Sequence, residues 1–348
     1  VKSEKEIKAF EQLGLLMSSL GKNESWKDYT TGVTESEYQI LEQIINKQFV
    51  LNGWFTKENV RKSLSALGKL LTLENLNSWL SNYTITDKTP KNIAVIMAGN
   101  IPLVGFHDFI SVILSGNKAI CKLSSDDKTL LPALANHLIN FGPSLKDRIE
   151  FTIGKIGKID AIIATGSDNS LKYFEQYFGH LPHVFRKNRT SVAIIEGDET
   201  KNDLNLLGND IFQYFGLGCR NVSHLLIPEN FKIDLFFESI VDFHDIVNHH
   251  KYANNYDYNK AVYLMNKAEL LDNNFVLLRR TEDLFSPLGM VHYHRYSSKN
   301  EVDEYLESHK DKLQVVVGKN YTPFGTAQCP TLSDYADGVD TISWLTSL

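Results

Sequence analysis

Apolar positions along this chain change their spacing near residue 90, and the change predicts two kinds of structure. Before it, Ile40, Leu41, Ile44, Ile45 and Phe49 recur at helical spacing behind Thr34 and Glu37, which together read as a capping box. Thr56 reads as the N-cap of a helix over Lys57–Leu71, and Thr72 as the N-cap of another over Leu73–Leu80. From Asn92 onward, short runs rich in Ile and Val are bounded by Gly, Asn and Ser, as buried parallel strands are. They fall at Ile93–Met97, Lys118–Leu123, Ile159–Ala164, Ser191–Ile195 and Val222–Ile227. Helix-length stretches separate them at Leu103–Leu114, Thr129–Asn140, Asn169–Phe178 and Asp203–Phe215. The alternation predicts an α/β fold with crossover connections. After Pro228 the pattern is mixed, with Tyr and His prominent between Phe243 and Tyr296, and a Gly-, Pro- and Asp-rich stretch runs from Pro323 to Asp340. A second domain is expected to begin close to Arg186.

At 348 residues, with 43% hydrophobic and 22% charged content, the chain has material for two cores. Its net charge of -6 argues against nucleic acid as a partner. No uncharged apolar run approaches the ~20 residues of a membrane span, so the expectation is a protein neither secreted nor membrane-spanning. Cys121, Cys219 and Cys329 are too few and too scattered for a disulfide framework or zinc knuckle. A reducing cytoplasm fits that cysteine usage best.

Ligands of open α/β sheets bind past the carboxyl ends of the strands, where four segments are expected to lie. In Ala98-Gly99-Asn100-Ile101-Pro102, the Asn100 amide can serve a developing oxyanion or simply make a turn before a helix. Lys122 with Ser124 and Ser125 can hold a nucleotide ribose or 2′-phosphate, or be a solvated strand end. Thr165-Gly166-Ser167 suits a pyrophosphate at a helix N-terminus. In Gly216-Leu217-Gly218-Cys219-Arg220, two glycines let a substrate approach and Arg220 can favour a thiolate. A lone cysteine is more often a small buried hydrophobe, a description that suits Cys121 and leaves Cys329 open. No G-x-G-x-x-G, P-loop or H-E-x-x-H is present. His292 and His294 can share a strand face but lack a third metal ligand, and the tyrosines from Tyr252 to Tyr263 suit packing better than a channel.

Taken in order, these segments resemble the aldehyde dehydrogenase superfamily, and within it the LuxC-like acyl-CoA reductases of fatty-acid reduction. The likeness runs from about Asn92 to the C-terminus. Asn100-Ile101-Pro102 looks like the superfamily's N-x-P, Lys122-Leu123-Ser124-Ser125 like K-P-S-E, and Thr165-Gly166-Ser167 like T-G-S. Gly216-Leu217-Gly218-Cys219 looks like G-Q-x-C, Asp283-Leu284-Phe285-Ser286-Pro287 like E-x-F-G-P, and Pro323-Phe324-Gly325 like P-F-G. The resemblance implies that Cys219 is the nucleophile, with Asn100 and the Cys219 backbone N–H as oxyanion hole. It implies cofactor contacts from Lys122, Ser124, Ser125, Thr165, Gly166, Ser167, Asp283 and Phe285, with Lys122 at the adenine ribose and Asp283 at the nicotinamide ribose. No metal is implied.

Departures from the pattern narrow the chemistry. Where hydrolytic aldehyde dehydrogenases carry E-L-G-G-K, this chain reads Phe185-Arg186-Lys187-Asn188-Arg189, and His183 to Arg189 contains no carboxylate. An acyl-cysteine without a water-activating base is spared hydrolysis. Ser125 replaces the glutamate that would repel a 2′-phosphate, which leans toward NADPH, with NADH the alternative. The implied activity is reduction of an acyl-CoA or acyl-carrier thioester to an aldehyde. Its alternatives are a CoA-acylating aldehyde dehydrogenase running oxidatively and a cysteine acyltransferase without redox chemistry. The implied layout is a helical segment over 1–90, a nicotinamide-cofactor domain over 91–185, a catalytic domain over 186–330 and a tail over 331–348. A homodimer stays open.

Overall fold

The computed structural model describes residues 4–86 and 88–348. They form two compact units, one taking in the chain up to Lys187 together with Thr331–Leu348, the other Asn188–Pro330. The polypeptide thus enters the second unit once and returns. Residues 331–348, expected as a tail, belong instead to the first unit.

The first unit opens with four helices, Glu4–Gly21 (α1), Glu35–Leu51 (α2), Lys57–Leu70 (α3) and Leu73–Leu80 (α4). The caps expected at Thr34, Thr56 and Thr72 are made, Thr34 and Glu37 as a reciprocal capping box. A parallel sheet follows, with strands Asn92–Ile96 (β1), Lys118–Lys122 (β2), Ile149–Thr152 (β3), Ala161–Thr165 (β4) and His183–Arg186 (β5) in the order β3-β2-β1-β4-β5. Between them run Phe106–Leu114 (α5), Leu130–Phe141 (α6) and Asp168–Phe178 (α7). The expected helix from Leu103 begins only at Phe106, because Leu103 takes φ 60° in a turn. The connection from β1 goes first to β2 and β3 and then returns to β4 on the opposite side. A topological switch point therefore lies between β1 and β4.

The returning segment ends in Thr341–Ser347 (α12), whose Ile342 and Leu345 join the first core. Arg186, at the end of β5, fixes it. Its guanidinium is 3% exposed and donates to both carboxylate oxygens of Asp108 on α5 (3.0 and 2.6 Å), to the Ala336 carbonyl (2.6 Å) and to Thr341 Oγ1 (2.9 Å).

The second unit is a six-stranded sheet in the order β11-β6-β7-β10-β9-β8. Its elements are Thr190–Ile194 (β6), Lys201–Phe212 (α8), Val222–Pro228 (β7), Ile233–Ser239 (α9), His250–Met265 (α10), Leu271–Asp272 (β8), Leu277–Arg280 (β9), Met290–Tyr296 (β10), Lys299–His309 (α11) and Leu313–Val317 (β11). All pairings are parallel except β8 with β9. The tyrosine-rich run is α10, with Tyr252 and Tyr256 buried as packing residues. Among the described residues no helix is long and apolar enough to cross a membrane, and no group of three or more His, Cys, Asp or Glu could hold a metal.

Candidate active site

In the first unit, three of the expected segments lie at carboxyl ends of strands. Ala98–Pro102 follows β1, Leu123–Ser125 follows β2, and Gly166–Ser167 follows β4. The first two are locked together. A Cβ on Gly99 would stand 2.5 Å from Ser124 Oγ, so only glycine allows that approach. Asp127 accepts the Leu103 N–H through Oδ2 at 2.8 Å, holding the left-handed turn just beyond Asn100. Burial pushes the Asp127 carboxyl up to about 6. Asn100, Ser125 and Ser167 are exposed, while Lys122, Ser124, Thr165 and Gly166 are half-buried. Ser167 caps α7 by accepting the Ser170 N–H.

Phe185 sits on β5 with its ring stacked 4.1 Å from that of His183 and 6.0 Å from that of Phe174 on α7. It belongs to an apolar cluster with Ala94, Ile162 and Ala164.

In the second unit, the Cys219 segment corrects the expected placement. It lies between the end of α8 and the start of β7, at an amino end of the sheet. The helix expected to reach Phe215 stops at Phe212, because Tyr214, Phe215 and Gly216 take φ of 53°, 60° and 78° in succession. Two non-glycine residues in the left-handed region cost on the order of 1–3 kcal/mol each and must be held by their surroundings. Asn221 is the residue that holds them, and nothing in the sequence pattern singled it out. Buried at 2% exposure, its Oδ1 accepts the Gly218 N–H (2.8 Å) and its Nδ2 reaches the carbonyls of Asp210 (3.0 Å) and Gln213 (2.9 Å). Ser191 Oγ donates to the Cys219 carbonyl at 3.0 Å. On this frame Cys219 is exposed, as is Cys329, whereas Cys121 is buried in β2 and its thiol is pushed well up by desolvation. An exposed thiol on a backbone held from beneath is open to an electrophile.

Arg220, expected to act on the thiol, donates to the Ala327 carbonyl at 3.1 Å and ties this turn to the segment after Pro323. Asp210, also missed in the sequence, holds the same segment by accepting the N–H groups of Gly325 (2.6 Å) and Ala327 (2.9 Å). Burial pushes the Asp210 carboxyl from 3.8 up to about 6. The folded state therefore keeps a proton that the unfolded chain has shed, and this contribution to stability is full below about pH 4 and lost as pH rises through 6. Asp210→Asn removes that term. The stability difference between wild type and variant should shrink by about 2 kcal/mol between about pH 4.5 and pH 7 in urea titrations. A difference independent of pH would contradict it.

Asp283 and Phe285 lie past β9, with Phe285 39% exposed and the Asp283 carboxylate 3.6 Å from the Arg279 guanidinium. His292 and His294 are both on β10, but His292 turns its Nδ1 to the Asp283 carbonyl.

Solved aldehyde dehydrogenases share the fold. The Mycobacterium tuberculosis enzyme complexed with NAD+ matches 89% of this chain and 73% of its own at TM-score 0.60 and 11% identity. Aldehyde dehydrogenase C of Pseudomonas syringae, complexed with NAD+ and octanal, matches 91% of this chain and 73% of its own at TM-score 0.61 and 13% identity. The indole-3-acetaldehyde dehydrogenase AldA of P. syringae, with NAD+ and IAA, matches 90% and 72% at TM-score 0.62 and 10% identity. No curated protein matches the chain in sequence. At such identities the structures establish an aldehyde-dehydrogenase-like fold, and sequence must supply the branch. The family model for acyl-CoA reductase (LuxC) matches residues 23–227, which span α2 to α7, the whole sheet of the first unit, the Cys219 turn and most of β7. The chain belongs to the acyl-CoA reductase (LuxC) family and is an aldehyde oxidoreductase.

Proposed function

We propose that this protein reduces an acyl-CoA, or another acyl thioester, to an aldehyde with NADPH through an acyl-cysteine on Cys219. The observation that carries the proposal is an exposed thiol on a strained turn whose backbone is fixed by Asn221 and Ser191.

The Cys219 thiolate adds to the thioester carbonyl, forming a new S–C bond. The bond to the carrier sulfur then breaks, and the departing thiolate takes a proton from solvent. Negative charge on the carbonyl oxygen is met by the Cys219 N–H. A reduced nicotinamide, when bound, supplies the hydride that brings the acyl carbon to the aldehyde level. The same donor holds the second oxyanion until it collapses, breaking the S–C bond and regenerating the thiolate.

The first unit has a donor set suited to a dinucleotide. The Lys122 ammonium and the hydroxyls of Ser124, Ser125, Thr165 and Ser167 stand at strand ends on both sides of a topological switch point. Lys122 and Ser125 would hold an adenine ribose and its 2′-phosphate, and the Gly166 turn a pyrophosphate; in the second unit, taken by itself, Asp283 with Phe285 would meet a nicotinamide ribose. Phe185 supports reduction over hydrolysis. Its ring is packed among apolar groups, at the sequence position where hydrolytic enzymes carry their water-activating glutamate.

Intact-mass spectrometry tests the proposal. Incubation with acyl-CoAs of graded length should add one acyl mass at Cys219, and NADPH should then discharge it as aldehyde. Absence of an adduct, or its discharge as free acid, would overturn it.

A further inference from the structure

Beyond β9 the chain folds back against the β7–β10 pair, and three consecutive carbonyls of this segment are each held by a side chain. Tyr305 on α11 donates its hydroxyl to the Glu282 carbonyl at 3.3 Å, and Ser223 on β7 donates to that of Leu284 at 3.3 Å. Between them, the Asp283 carbonyl receives two imidazoles, His224 Nδ1 at 3.0 Å and His292 Nδ1 at 2.8 Å. These histidines are register partners on adjacent parallel strands, with rings nearly perpendicular and centroids 6.4 Å apart.

A carbonyl oxygen can only accept, so both rings carry their proton on Nδ1. Both are nearly inaccessible, at 0% and 2% exposure, and neither Nε2 has a hydrogen-bond partner among the described residues. Burial lowers the pKa of both, that of His224 to about 3, so the pair is neutral. Two unsatisfied buried acceptors side by side are expensive, and Leu or Val would fill two positions in the middle of parallel strands without that cost. What the pair provides is a fixed carbonyl. Leu284 of the same segment is buried, while the side chains on either side of it face out: the Asp283 carboxylate is 71% exposed and Phe285 is 39% exposed. A surface loop left to itself would give its carbonyls to water.

We infer that His224 and His292 are positioning residues that clamp the Asp283 carbonyl and so fix the Asp283 carboxylate and the Phe285 ring where the nicotinamide half of the cofactor is received. The inference rests on the cofactor site proposed above. It gives a reason for two buried histidines whose Nδ1 atoms both meet one backbone carbonyl. A loop displaced by an ångström leaves a hydride donor out of line with the acyl carbon, which costs far more in rate than in affinity.

Three variants and four readings test the clamp. His292→Leu removes one donor, His292→Asn returns an N–H at the position of Nδ1, and Ser223→Ala releases the neighbouring Leu284 carbonyl without touching an imidazole. The readings are kcat with acyl-CoA and NADPH, the isotope effect with NADPH deuterated at the transferred hydrogen, Cys219 acylation by intact mass, and the Kd of adenosine 2′,5′-bisphosphate as a probe of the adenine half. For His292→Leu, kcat should fall roughly tenfold to a hundredfold and the isotope effect should rise, with acylation and the bisphosphate Kd unchanged. His292→Asn should recover kcat to within about threefold of wild type, and Ser223→Ala should show a smaller loss with the same rise in isotope effect. Wild-type kcat and isotope effect in His292→Leu and Ser223→Ala would overturn the clamp. Loss of acylation, bisphosphate binding and turnover together, unrescued by asparagine, would also overturn it by showing a merely structural role. A wild-type protein that is acylated but passes no hydride would instead remove the cofactor site beneath it.

Discussion

Cys219→Ala should lower acyl-CoA-dependent NADPH oxidation on the order of 10⁴-fold or more, with NADPH affinity unchanged. The expectation of so clean a loss comes from how the turn is held. Gly218 is fixed through its backbone N–H by Asn221, and Cys219 through its backbone carbonyl by Ser191. Alanine keeps both groups and is a good residue for an exposed turn, so removal of Sγ takes away the nucleophile with little change to the fold. Cys329→Ala is the control, since that thiol is also exposed but lies among residues that hold the Pro323 segment. It should keep its turnover and its acyl adduct, while Cys219→Ala carries none. Turnover by Cys219→Ala within tenfold of wild type would remove the covalent mechanism.

The same turn shows which parts of the molecule were legible in the sequence. The buried strands β1, β2, β4, β6 and β7 were, because each is a continuous Ile-, Val- or Leu-rich run whose burial on both faces leaves no polar alternation to obscure it. The strands β3 and β5 escaped notice. Each is four residues at a sheet edge, and Ile149-Glu150-Phe151-Thr152 and His183-Val184-Phe185-Arg186 mix polar with apolar positions as edges do. The caps at Thr34, Thr56 and Thr72 were legible because capping is local chemistry over three residues. The position of Cys219 relative to the sheet was not. The predicted order of helix Asp203–Phe215 and strand Val222–Ile227 already puts the turn before β7, but a glycine-rich turn has the same composition at either end of a strand and does not itself report that it stands at an amino end.

The candidate site divides in the same way. Cys219, Asn100 and Lys122 carry chemistry in their own side chains and stand in recognisable tripeptides. Asn221, Asp210, His224 and His292 act on backbone groups up to 117 residues away in the chain, as Asp210 does on Ala327, and leave no local pattern. A signal of a kind existed: Asn221 just before β7 and His224 within it are polar residues beside the apolar run Leu225-Leu226-Ile227, where burial demands a partner. The sequence cannot say which partner.

Arg186 shows the same limit with a larger consequence, because in the sequence it marked a domain boundary and in the structure it closes the first unit. Asp108→Ala should destabilise that unit by about 3–5 kcal/mol in urea unfolding. The mutation leaves a side chain that is 3% exposed, still pointing at the Ala336 carbonyl and Thr341 Oγ1 but without the Asp108 carboxylate. Much of the cost is therefore the buried charge that has lost this carboxylate rather than the value of the ion pair. The double variant Asp108→Leu with Arg186→Met separates the two contributions: it removes both charges and keeps apolar volume, so it should lose less than Asp108→Ala alone. Residues 331–348 give a local readout. Their α12 is attached through Arg186 as well as through the apolar contacts of Ile342 and Leu345, so hydrogen exchange there should quicken in Asp108→Ala and return toward wild type in the double variant. Equal losses in the single and double variants would mean that the pair itself, with its two bonds to the returning segment, carries the stability.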